Sequence, residues 1–146
     1  VMACKNANYN PVFFGVDGFD GALEQEGVDV SMFEGFYYLT PFAYTATDDA
    51  TVSFVSKFNA LAGNNPNQFA ADAYDVVYAI YNALVEAGAT ADMSAQDMGE
   101  LLCKTFQGGF TYSGLTGSNM TWNENGAVVK APLAFQVKDG KLTAAE

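Results

Sequence analysis

A run of apolar residues that stops at an acid constrains this chain more than any other stretch. Val12-Phe-Phe-Gly-Val16 reads as a short buried strand, and the chain turns at once through Asp17-Gly18. A short helix over 20–26 is expected next. In an open α/β sheet, ligands bind in the crevice outside the carboxyl ends of the strands. Asp17 is therefore either a group that meets a bound molecule or a turn acid that caps the following helix. Spacing alone leaves both readings open.

Composition narrows the chemistry around that acid. The 146 residues suit one domain with a sizeable core. With 50% hydrophobic and 16% charged residues, the chain is globular rather than disordered. No apolar run approaches the roughly 20 residues of a membrane helix. Its basic residues are all lysine, and a net charge of −11 argues against nucleic acid or an anionic membrane as partner. The chain has no histidine, which removes Ser-His-Asp and Cys-His catalysis and histidine metal sites together. Cys4 and Cys103 read as two free buried thiols, with a single disulfide as the alternative; neither lies in a CxxC pair. No metal and no cofactor is expected, since neither GxGxxG nor a P-loop is present.

Taken in order, the chain opens on residues that read as the last turns of a helix running into a loop, as if something preceded it. After the opening strand and helix, Gly35-Phe-Tyr-Tyr-Leu-Thr40 forms a second strand, ended by Pro41. Thr47 is expected to cap a helix from Asp48, with Val52, Val55, Phe58, Leu61 and Ala62 buried and Gly63 at its end. Asp48 and Asp49 suit a helix start better than a catalytic pair. The strongest helix follows. Asn65 is its expected cap and Pro66 its first residue, and Phe69, Ala73, Val76, Val77, Ile80, Leu84 and Ala87 form one apolar stripe. Ser94 with Asp97 opens a third helix, buried through Met98, Leu101, Leu102 and Phe106. Beyond Phe110 come short strands, with turns at Glu124-Asn-Gly126 and Asp139-Gly140. This order argues for an α/β fold, an open three-layer sandwich with helices on both sheet faces and a β-rich C-terminal segment.

Four segments resemble a known family: Asn8 to Gly21, Gly35 to Phe42, Phe69 to Leu84 and Thr116 to Gly126. In order and spacing they are similar to type I periplasmic binding proteins of the branched-chain amino acid (Leu/Ile/Val) group, the solute receptors of ABC transporters. The resemblance implies a Rossmann-like lobe, with residues 1–146 as the second, C-terminal ligand-binding lobe. By that comparison its first strand, most of its first helix and the whole N-terminal lobe are absent. It implies a non-enzymatic protein outside the cytoplasmic membrane, in the periplasm or as a lipoprotein. Its partners would be an amino acid or similar small molecule, an ABC permease and the missing lobe.

Residue by residue, the resemblance places Asp17 on the acid that binds the ligand's α-amino group and Phe69 on an apolar group that packs on the ligand. Gly18 and Phe19 would line the same corner as Asp17. A sensory domain of a receptor is the nearest alternative. A carboxylate-only hydrolase using Asp17 and Asp20, or Asp48 and Asp49, is the alternative from another class. Isolated copies with an open sheet edge are expected to pair or swap.

Overall fold

The computed structural model describes residues 1–145, and these form two compact units: 1–43 together with the chain from Pro132 onward, and Tyr44–Ala131. The division arises because the polypeptide leaves the first sheet after Thr40, builds a separate hydrophobic cluster, and returns to that sheet at Leu133.

The first unit begins with a short helix, α1 (Met2–Asn6), in line with the helical ending expected there. Its sheet has the order β1-β2-β5-β6, with β1 (Phe14–Gly15), β2 (Tyr37–Thr40), β5 (Leu133–Lys138) and β6 (Lys141–Ala144). β1 and β2 run parallel, with Phe14 opposite Tyr37; the other pairs are antiparallel, with Tyr38 opposite Phe135 and Gln136 opposite Thr143. The period of two in a strand sends Tyr38, Phe135 and Val137 to one face. There they form the core with Phe36, against which Phe13, Phe19, Leu23, Val30 and Phe33 pack.

Two expectations fail in this unit. β1 is two residues long and not buried: Val12, Phe14 and Val16 are all more than half exposed. Among the described residues it stands at the sheet edge, paired with β2. The helix expected over 20–26 is replaced by two 3-10 turns, Asp17–Phe19 and Ala22–Glu24, because Gly21 between them is left-handed at φ 74° and interrupts any helical run.

The Asp139-Gly140 hairpin is present as read. Both residues have positive φ, 53° and 67°, as a type I′ turn requires. The Glu34 carboxylate accepts both their amides, each at 3.1 Å.

The second unit holds α2 (Asp49–Ala62), α3 (Gln68–Glu86) and α4 (Ala95–Gln107). It also holds the two-stranded ladder of β3 (Thr121–Trp122) and β4 (Val128–Val129). Around Tyr112 there is only an isolated bridge to Met120. Phe106, Phe110 and Trp122 form an aromatic cluster with centroid separations of 4.6–5.8 Å.

The caps of α2 and α3 differ from expectation by one and two residues. Asp48, not Thr47, caps α2 by accepting from the Thr51 amide at 2.9 Å. That bond holds its carboxyl below the usual range. Asn67 caps α3 by accepting from the Ala70 amide, whereas the expected cap, Asn65, accepts from the Asn59 side chain instead. Ser94 and Asp97 form the capping box of α4 as read: the Ser94 hydroxyl accepts the Asp97 amide and donates to its carboxylate.

The helix stripes are the larger correction. α2 buries Thr51 and Phe54, leaving Val52 and Leu61 exposed. α3 buries Gln68, Ala71, Asp75, Ala79 and Ala83, so the expected stripe of Phe69, Val76, Val77 and Ile80 faces outward. Small side chains let α4 and the loop 112–117 approach α3 closely, and the polar atoms of that loop need an acid to receive them.

Candidate functional site

Asp17 stands just beyond the carboxyl end of β1, as the first residue of a 3-10 turn. The turn is closed by Phe19 N–H to Val16 O (2.8 Å) and Asp20 N–H to Asp17 O (3.0 Å). The carboxylate is exposed, and one of its oxygens accepts the Gly18 amide at 2.9 Å. A charged group in that position can pair with an ammonium from a ligand.

Gly18 has open space around it. Phe19 is engaged elsewhere: its ring lies 4.4 Å from that of Phe36, with Phe33 and Tyr38 further out. Gly15 makes this packing feasible, since a Cβ there would come within 2.8 Å of the Phe36 ring. Phe19 thus anchors the Asp17 turn to the core of the first unit.

Phe69, on the first turn of α3, is 51% exposed and belongs to the second unit. The four residues singled out from sequence are therefore split, three in one unit and one in the other. Among the described residues, no group of three or more His, Cys, Asp or Glu side chains is arranged to hold a metal ion.

A polar cluster on the buried side of α3 was missed. The Asp75 carboxylate accepts three hydrogen bonds, from the Leu115 amide (2.9 Å), the Thr116 amide (2.8 Å) and the Thr116 hydroxyl (2.8 Å). Lys130 donates to the Thr116 hydroxyl oxygen at 3.0 Å and to Asp72 at 2.7 Å. A Cβ at Gly114 would fall onto the Asp75 carboxylate and the Tyr112 ring, so glycine is required there.

Burial, and then the Asp75 charge beside it, push the Tyr112 phenol up to about 12. The available sequence signal was an acid flanked at i−4 and i+4 by alanines, Ala71 and Ala79. That pattern marks a close-packed helix face with a polar demand. Next to the cluster lies a cavity of about 650 Å³ lined by Phe54, Phe58, Tyr74, Tyr78 and Tyr112, among others.

Residues 1–141 match the periplasmic binding protein family, and the chain belongs to it. No curated protein matches. Solved structures share the fold. A leucine binding protein, LivK, from Thermotoga maritima is 20% identical with a TM-score of 0.70. The branched-chain amino acid transporter substrate binding protein LivJ from Streptococcus pneumoniae, in complex with isoleucine, is 22% identical with a TM-score of 0.72. In both cases the match covers 99% of this chain and 39% of that one. An extracellular ligand-binding receptor from Rhodopseudomonas palustris is 19% identical, with a TM-score of 0.70 over 99% of this chain and 43% of its own. This chain thus spans about two-fifths of the length of the structures it matches, and its mixed α/β content accords with one lobe of their fold.

Proposed function

We propose that this chain is part of a solute-binding receptor that captures an amino acid, branched-chain or similar, for an ABC permease. The observation that carries the reading is Asp17, a carboxylate left exposed beyond a strand end and aligned by the Gly18 amide. It receives the ligand's α-ammonium, while Phe69 contributes apolar surface. The groups that hold the ligand's carboxylate lie outside this chain. Capture proceeds by closure of two lobes about a hinge, with ligand favouring a closed state already sampled. The protein works outside the cytoplasmic membrane and performs no chemistry on its ligand. LivK and LivJ, described as leucine binding and as bound to isoleucine, support the ligand class.

Calorimetric titration of the complete protein against amino acids should show saturable binding. Asp17→Ala should weaken it by about 2–5 kcal/mol, roughly 30-fold or more. Unchanged affinity would return Asp17 to the role of a turn residue, and turnover of any substrate would sink the receptor reading.

A further inference from the structure

The cavity beside the Asp75 cluster lies wholly within the second unit, between α2, α3 and the loop 112–115. Asp17 and its turn belong to the first unit and contribute nothing to the lining. Its volume of about 650 Å³ falls within the roughly 300–1,000 Å³ of small-molecule pockets. Five aromatic side chains line it: Phe54, Phe58, Tyr74, Tyr78 and Tyr112. Successive rings from Phe58 through Phe54 and Tyr74 to Tyr78 are 4.7–5.9 Å apart and tilted by 41–55°. They form a faceted wall rather than a flat stack. Tyr74 and Tyr78 are 40% and 45% exposed, which leaves ring surface free for a guest.

Electrostatics select that guest. Aromatic faces carry negative potential. The Asp75 carboxylate, 4% exposed, lines the same cavity. Lys130 pairs with Asp72 and donates to the Thr116 hydroxyl oxygen, which in turn donates to Asp75. Two acids and one ammonium leave a net negative charge there. Its lone pairs are largely engaged: Asp75 already accepts three hydrogen bonds, and the Tyr74 and Tyr78 hydroxyls bond to each other. A primary ammonium would bring N–H groups with little left to receive them, whereas a quaternary ammonium carries charge and no donors. Among the described residues Lys57 is the one basic lining group, and it is exposed, on a stem that keeps its charge in water. The net charge of −11 also favours a cation over an anion.

We propose that this cavity binds an organic cation of the quaternary ammonium class, held by the five rings and the charge of Asp75. Calorimetric titration of the complete protein with choline tests it, against dimethylbutanol, the uncharged carbon isostere. Choline should bind saturably and at least roughly 10-fold more tightly than the alcohol. Tyr78→Leu removes an exposed ring but keeps apolar bulk, and should weaken choline binding at least roughly 5-fold. Phe58→Leu serves as a second variant if the first does not fold. Lys57→Gln should leave choline affinity unchanged or tighten it. A titration without saturation, or equal binding of the alcohol, overturns the proposal. Parental choline affinity in Tyr78→Leu, or weakened binding in Lys57→Gln, overturns it as well.

Discussion

Asp17 and Asp75 are two acids treated oppositely by their surroundings. The first sits in an exposed turn, its carboxylate held by one neighbouring amide. The second is buried and accepts three hydrogen bonds from residues 40 and 41 positions away. A carboxylate that is already satisfied fixes a loop, whereas one left open to solvent has capacity for a partner that arrives later. In sequence both are an acid beside apolar residues; only the donors around them tell which does which.

The comparison can be broken most severely at Asp75. Asp75→Ala would strand two backbone amides and should cost about 3 kcal/mol of stability. A urea midpoint within experimental scatter of the parent would show that the cluster is ornamental.

A smaller effect should appear at high pH through Tyr112. Its folded pKa is raised from 10.0 to about 12, so the native state holds the phenolic proton more tightly than the unfolded chain. The associated stability is complete below pH 10 and declines as pH rises through 12. Tyr112→Phe should therefore flatten the fall in urea midpoint between pH 9 and 11.5; a fall as steep as the parent's would remove Tyr112 from the account.

The smallest stability effect belongs to Asp17. Asp17→Ala should shift stability by less than about 0.5 kcal/mol while ligand affinity drops. Loss of both in proportion would make it a structural acid like Asp75.

Much of the fold was legible from sequence, and the reasons are local. Ser94 with Asp97, Gly63 at the end of α2 and Asp139-Gly140 in the hairpin each satisfy backbone groups within a few residues, so spacing suffices to read them. The buried faces of α2 and α3 were not legible. Apolar periodicity tells which face of a helix seeks cover, not which face this stretch of chain is long enough to cover. Val77 and Ile80 therefore looked like core and lie outside, while Ala79 and Ala83 are buried. The Asp75 cluster escaped for a related cause, because its donors arrive from a loop 40 residues on. Division into two units could not be read from composition either, since it depends on where the chain re-enters a sheet.

The Glu34 clamp on the Asp139-Gly140 turn has a consequence in time. It joins residues 105 and 106 positions apart, and β2 waits for β5 across a similar gap. On a ribosome, Leu133 would follow Thr40 by roughly 5–20 s at ordinary synthesis rates. Through that interval β2 has only the two-residue β1 to pair with, and its other edge stays open. The stretch from Tyr44 to Ala131 is made within that interval, before β5 emerges to close the first sheet. β1 can pair with β2 as soon as both are made, whereas the open edge of β2 is covered last.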